Sequence, residues 1–248
     1  AVGFNKQKKG ARSYYPLLCT VAQTGQFFDM HHRPGNVHDS NGADAFIIEC
    51  LDTVRESFPG AILETRLDSA FFSKDVLRIF DKRGAEFTIS VPFERLAELK
   101  GMIESRERWF SIDGEWSYFE REWKPKSWER RYRFLFVRRR VKKQRKEPLQ
   151  LDLFEPRDSD FEYKVIVSNK RQKAGAVIQF HNGRGAQEAI FGDAKQDAGF
   201  GVIPARKLAA NQTYTLCAML AHNLGRELQM LAAPANKRAT AKRRAAWT

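Results

Sequence analysis

The residues of this sequence best suited to chemistry lie around Glu188. His181 and Arg184 precede this carboxylate, and Lys195 follows it. In a helix, at about 100° per residue, all four side chains fall within roughly 60° of one another on one face. A carboxylate in that setting can share a divalent cation while neighbouring cations neutralise phosphate oxygens. The alternative is a solvated face, where an ion pair between Arg184 and Glu188 contributes only a few tenths of a kcal/mol.

Three glycines in the same stretch argue against an ordinary surface helix. Gly183, Gly185 and Gly192 would each cost about 1 kcal/mol relative to alanine in a helix interior. A helix that keeps them is expected to bring its backbone close to a bulky neighbour. We therefore predict one helix over residues 174–197 that carries Glu188, and both interpretations of its charged face stay open at this point.

A second carboxylate, Asp68, follows an alternating apolar segment at residues 61–67. That segment predicts a strand, and the pattern around Val76 and Phe80 predicts a helix after it, as in an α/β sheet. An acid at the carboxyl end of such a strand lies at the edge where open α/β sheets bind ligands. The local sequence is equally compatible with a residue that only caps the next helix.

The other elements that must position these acids follow from apolar periodicity. A hairpin is expected around the turn at residues 23–25, and Asp39 or Ser40 is expected to cap the first helix. The last helix carries a leucine stripe that we expect to cover a face of the sheet. The predicted strands are 14–21, 26–32, 61–67 and 85–91, and the predicted helices are 43–58, 93–103 and 206–231, with Leu208, Leu216, Leu220, Leu224 and Leu228 in the stripe.

Between Trp109 and Asn169, aromatic residues stand among dense charge, and the alternation predicts antiparallel strands inserted into the α/β layout. Residues 120–146 contain 13 basic and 3 acidic residues, a surplus of +10. Such a segment can hold phosphates and flank bases. Arg138, Arg139 and Arg140 are therefore candidate DNA contacts, and we expect their removal to leave folding intact. The alternative is a solvated face that protects a sheet edge.

The composition points to a polyanionic partner. With 43 Lys and Arg against 30 Asp and Glu, the net charge is +13, which is typical of nucleic-acid binders. The 248 residues are enough for one large domain or two small ones. No apolar run approaches the ~20 residues of a membrane span, so we expect no membrane partner. Three widely spaced cysteines support neither a disulfide framework nor a metal cluster.

Several motifs, in their order along the chain, resemble DDE transposases of bacterial insertion sequences. The spacing His181-x2-Arg184-x3-Glu188-x6-Lys195 is similar to the Tyr-x2-Arg-x3-Glu-x6-Lys signature of that family, with His in the Tyr position. The resemblance covers residues 3–231. Further stretches similar to one branch of the family are residues 10–14, 33–40, 68–72 and 221–224.

The resemblance implies an RNase H-like α/β fold, a mixed sheet flanked by helices, with an inserted antiparallel β region. It makes Asp68 and Glu188 the second and third acids of a triad that binds Mg²⁺ or Mn²⁺. His181, Arg184 and Lys195 then contact DNA. The divisions it implies are 1–104 and 171–231 for the core, 105–170 for the insertion and 232–248 for a basic tail.

The implied partner is double-stranded DNA, both the terminal inverted repeats of a transposon and the target. A homodimer in a synaptic complex is one assembly that the resemblance allows, and the bacterial cytoplasm, beside the nucleoid, is the expected location. The family's first Asp lies on a strand before residue 1, so we expect this chain alone to bind DNA without cleaving it. A nuclease without strand transfer and a catalytically inactive DNA-binding relic are the alternatives.

Overall fold

The computed structural model describes residues 3–4, 12–38, 40–141 and 161–232. The chain divides into two compact units, one of residues 1–59 and 184–248 and one of residues 60–183. The strands are β1 Gly3–Phe4, β2 Arg12–Ser13, β3 Leu17–Val21, β4 Gln26–His31, β5 Glu64–Leu67, β6 Glu86–Val91, β7 Phe110–Ser111, β8 Trp116–Trp123, β9 Tyr132–Arg140 and β10 Phe161–Ser168. The helices are α1 Ala43–Ser57, α2 Lys74–Lys82, α3 Ala97–Glu104, α4 Ala174–Asn182, α5 Ala186–Asp197 and α6 Leu208–Ala232.

The unit of residues 60–183 is built on a six-stranded mixed sheet with the order β5-β6-β10-β9-β8-β7. β5 and β6 are parallel, as the predicted strand–helix–strand unit requires. All other neighbours are antiparallel. The strands predicted as an antiparallel insertion belong to this same sheet. The reason is that β10 pairs directly with β6, from Val165 opposite Val91 to Ser168 opposite Thr88.

Both faces of this sheet are covered at β9. Its central residues Phe134, Leu135, Phe136 and Val137 are all buried, which explains why the strand is apolar without alternation. On one face the Phe136 ring stacks on Phe119 with centroids 4.4 Å apart. On the other face, Leu135 and Val137 of β9 and Ile166 of β10 pack in one cluster with the α4 residues Ala174, Val177 and Ile178.

The other unit contains the predicted hairpin, β3 and β4, with α1, α5 and α6. Helix α1 forms as its apolar pattern predicts, but its N-cap is Gly42 in the left-handed region, with φ 75° and no side-chain cap. The expected cap at Ser40 is therefore wrong, and Asp39 lies outside the described residues. A left-handed cap favours glycine, which has no Cβ to clash with the backbone.

The leucine stripe of α6 was predicted to cover a face of the sheet, but it is exposed. The opposite face of the helix lies against the hairpin. Leu216, Leu220, Leu224 and Leu228 are 45–60% exposed. The Asn223 amide instead exchanges two 2.8 Å hydrogen bonds with the backbone of Phe27. Arg226 Nε donates to the Thr24 carbonyl at 2.9 Å. These polar side chains satisfy backbone groups of the hairpin that would otherwise be buried without a partner, which is costly.

His32, at the end of the hairpin, gives a testable pH dependence. Its ring contacts that of Tyr14 in a tilted arrangement, with centroids 4.3 Å apart, and neither ring nitrogen has a hydrogen-bond partner among the described residues. Burial, and then the nearby His31, lower the pKa of His32 below its ordinary 6.5. The unfolded chain therefore binds a proton before the folded chain does. The contribution of neutral His32 to the free energy of unfolding is therefore present above about pH 6.5 and is lost as the pH falls through the folded-state pKa.

We expect His32→Phe, which keeps a ring against Tyr14, to flatten the loss of stability between pH 7 and pH 5. Urea denaturation across that range measures the slope. His38→Gln, at an exposed histidine, is the control for histidine replacement in general. An unchanged slope in His32→Phe would contradict the assignment.

No helix in the described ranges is long and apolar enough to cross a membrane. Residues 233–248 of the expected tail, 232–248, lie outside the part of the chain that the structure describes, as do the cations from 142 to 146.

Candidate active site

Asp68 follows β5 directly and begins a 3₁₀ turn over Ser69–Phe71. Its Oδ1 accepts a hydrogen bond from the Ala70 amide at 3.0 Å. The side chain is partly exposed. Asp68 does not cap α2, because Ser73 Oγ takes that role by accepting from the Val76 amide. The carboxylate is thus fixed at the end of its strand by a short turn of its own.

Glu188 lies in the first turn of α5 and is exposed. Acidic residues are common in the first turn of a helix, where they face the positive end of the helix dipole. Lys195 follows two turns later on the same face and is also exposed. Asp68 belongs to the unit of residues 60–183 and Glu188 to the other unit.

The expected single helix over residues 174–197 is wrong. α4 ends at Asn182, and a 3₁₀ turn over Gly183–Gly185 separates it from α5. Arg184 lies in that turn and is partly exposed. The signature residues therefore do not share one continuous helix face. Two glycines in three residues weaken the helix at this point.

His181 is fully buried, at 0% exposure. Its Nδ1 lies 3.0 Å from Thr88 Oγ1 and its Nε2 lies 2.9 Å from Ser90 Oγ. Thr88 and Ser90 are two apart on β6 and so point to the same face. The histidine joins α4 to the sheet, and in this position it is not available to DNA. His181 therefore has a structural role in the core, and the contact with DNA that was expected of it does not fit this position.

The three consecutive arginines at the end of β9 have different surroundings. Arg138 lies 4.6 Å from the centroid of the Trp109 ring and 4.3 Å from that of Phe161. Its Nε also donates to Ser117 Oγ at 2.9 Å. Arg139 and Arg140 are exposed. Arg138 is therefore part of the packing, and only the other two are presented to solvent as expected.

Part of the basic surplus in the described segment is neutralised locally. Arg130 pairs with Asp81 at 2.9 Å and Arg133 with Glu120 at 2.6 Å. Such surface pairs contribute little to stability but reduce the local field. Other exposed cations of this segment are Arg121, Lys126 and Arg131, and Arg139 Nε lies 3.7 Å from a Glu115 carboxylate oxygen.

A group of three or more His, Cys, Asp or Glu side chains able to hold a metal does not occur among the described residues. Mg²⁺ nevertheless often binds through one or two carboxylates, with water and substrate phosphates completing its shell. The oxygen donors of Asp68 and Glu188 fit that pattern, so a metal that binds together with DNA is chemically compatible with this chain.

A profile of the family described as Transposase DDE domain group 1 matches residues 3–245. The chain belongs to the transposase DDE domain family. The match spans nearly the whole chain and, with the mixed sheet and its flanking helices, confirms the RNase H-like α/β fold expected from the sequence. A comparison with curated proteins finds no match. Family membership implies a DNA partner and an enzyme that cleaves nucleic acid.

Sequence reasoning missed the partners of His181 in this transposase domain. β6 reads Glu-Phe-Thr-Ile-Ser-Val, and its two hydroxyl residues alternate with fully apolar ones. Two polar side chains on one face of a buried strand require a polar partner. That pattern is the signal that could have placed a buried hydrogen-bonding group, such as His181, against β6.

Proposed function

We propose that this domain cuts and joins DNA at the ends of a mobile element, in a divalent-metal-dependent reaction that uses Asp68 and Glu188. The observation that carries the proposal is the pair of carboxylates, one held at the carboxyl end of β5 and one in the first turn of α5. Their order matches the second and third acids of the family to which the chain belongs. Both are at least partly exposed, as residues that meet a polyanion must be.

The proposed roles divide between metal binding and DNA positioning. Asp68 and Glu188 would hold Mg²⁺ or Mn²⁺, which supplies an activated water or 3′-hydroxyl and stabilises the leaving oxygen. The turn after β5 holds Asp68 in place through the Ala70 amide. Arg184 and Lys195 would bind phosphate oxygens near Glu188. Arg139 and Arg140 would contact the DNA backbone without reading its sequence.

The proposal requires the two carboxylates to come together, on the order of 4–8 Å apart without metal. We expect Asp68→Cys/Glu188→Cys to be cross-linked by a short bis-maleimide, with the exposed Cys217 replaced by Ser. Peptide mass spectrometry identifies the linked pair. Asp75→Cys/Glu188→Cys, with the first cysteine on α2, is the control. Equal cross-linking of both pairs, or of neither, would count against a shared site.

The function itself is tested on a supercoiled plasmid that carries the coding region with its native flanking DNA. The longest product of the gene and the 248-residue chain are assayed side by side with Mg²⁺ or Mn²⁺. Nicking at the flanks followed by joining supports a transposase. Nicking without joining identifies the nuclease alternative, and binding without nicking by either product identifies the inactive relic.

The exposed arginines of β9 provide a test of DNA binding. Arg139→Ala/Arg140→Ala is expected to lower affinity for any DNA sequence and to reduce the salt slope by up to about 2, near one per lost phosphate contact. Fluorescence anisotropy with a labelled duplex at several salt concentrations measures both. Arg138→Ala is the contrasting variant, because loss of its ring contacts and hydrogen bond should destabilise the fold by about 1–2 kcal/mol. Unchanged affinity in the double variant would show that Arg139 and Arg140 lie at a solvated sheet edge and do not contact DNA.

A further inference from the structure

Arg66 on β5 is bound to the end of α4. Its Nη1 donates a hydrogen bond to the Phe180 carbonyl at 3.1 Å, near the helix end where carbonyls lack intrahelical partners. The guanidinium also lies 4.8 Å from the centroid of the Phe180 ring. A cation at this end of a helix is favoured by the helix dipole. Three favourable interactions thus hold one side chain at one place.

The ammonium of Lys170 contacts the same phenylalanine ring as Arg66. Its Nζ lies 4.4 Å from the centroid of the same Phe180 ring. The ring is only partly exposed, and cation–ring contacts are stronger where water is partly excluded. Two cationic side chains therefore contact the Phe180 ring, one from β5 and one from the segment that follows β10.

Gly183, the first residue after α4, accommodates Arg66. Its φ of −61° and ψ of −10° are open to any residue, so the backbone does not require glycine here. A Cβ at this position, however, would overlap Arg66 Nη1. A Cβ on Gly185, at the other end of the same turn, would have no atom within 4 Å. Space for the guanidinium explains the glycine at residue 183 and not the one at residue 185.

We propose that Arg66 is a positioning residue for the carboxylate pair, an inference that rests on the proposed function. Arg66 lies on β5, two residues before Asp68, and it fixes the point where the chain leaves α4 towards Glu188. Displacement of its guanidinium would let the end of α4, and the turn that follows, shift relative to β5. Reacting groups misplaced by about 1 Å can slow catalysis on the order of 100-fold without a loss of binding.

The test compares Arg66→Ala, Gly183→Ala and the double variant in the plasmid nicking assay. The new methyl group in Gly183→Ala should push the guanidinium away from the Phe180 carbonyl, so both single variants lose the same contact. We expect each to lower kcat on the order of 10–100-fold, with KM for DNA within about twofold. The double variant should be no slower than the slower single variant, because the contact can be lost only once.

Gly185→Ala is the matched control, with the same substitution two residues away and an expected rate within about twofold of the wild type. Thermal unfolding checks that each variant is folded, and Arg66→Gln, which keeps a long side chain, replaces Arg66→Ala if the latter does not fold. Arg66 variants with wild-type kcat overturn the inference, as do single effects that multiply in the double variant. If neither the longest product of the gene nor the 248-residue chain nicks DNA, the proposed function and this inference are overturned together.

Discussion

Replacement of Asp68 by Asn or of Glu188 by Gln is expected to abolish metal-dependent nicking, with a fall in rate on the order of 10³-fold. Each amide keeps the size of the side chain but removes the negative charge that holds a divalent cation. DNA affinity measured without metal should remain within a few-fold, because neither residue supplies a phosphate contact. The rate is measured on the plasmid with native flanks, in the product that nicks it.

Two matched variants control for general effects of lost charge. Asp75→Asn removes an exposed carboxylate from α2, and Asp193→Asn removes a partly exposed carboxylate from α5, the helix of Glu188. Both are expected to nick DNA at close to the wild-type rate. If Asp68→Asn or Glu188→Gln also retains this rate, the proposed carboxylate pair is wrong and the metal must be held elsewhere.

Removal of both carboxylate partners of Lys170 is expected to destabilise the fold by about 3–5 kcal/mol. The Lys170 side chain is only 3% exposed and pairs with Glu86 at 2.5 Å and with Glu64. Glu64 and Glu86 are opposite each other on β5 and β6. In Glu64→Gln/Glu86→Gln, the ammonium would stay buried without a countercharge. Urea denaturation gives the free energy of unfolding directly.

The same ion cluster predicts how acid affects stability. The hydrogen bond from Lys170 is the main cause that lowers the pKa of Glu86. The stabilisation of the fold by the ion pair between Lys170 and Glu86 is therefore present above the ordinary Glu pKa, about 4.3. It is lost as the pH falls through the lower folded-state pKa of Glu86. We expect the wild type to lose this stability on acidification and the double variant to have no such loss.

Two further variants separate charge burial from general damage to the sheet. Lys170→Met in the double-variant background removes the buried charge and should recover most of the lost stability. Glu162→Gln, at an exposed position of β10, should change stability by under about 0.5 kcal/mol. A loss in Glu64→Gln/Glu86→Gln as small as that of Glu162→Gln would show that water reaches Lys170.

The sequence by itself was sufficient to predict the hairpin of β3 and β4, helix α1 and the succession β5, α2 and β6. Each of these depends on apolar periodicity and on turn residues within a short segment. The positions of Asp68 after a strand and of Glu188 on a helix follow from the same local signals. Local patterns and motif order were also enough to suggest the family, which the profile match confirms.

Only the tertiary structure decided the features that join distant parts of the chain. Arg66 and Phe180 are separated by 114 positions, and no local pattern indicates that one would hold the end of the helix containing the other. The same is true of His181 against Thr88 and of Arg138 between two rings. The leucines of α6 look like a buried face by periodicity. The opposite face lies inward, where Asn223 and Arg226 hydrogen-bond to backbone groups of the hairpin and Met219 packs with Phe27 and Met30. These are contacts with a segment about 200 positions away, which local periodicity does not indicate.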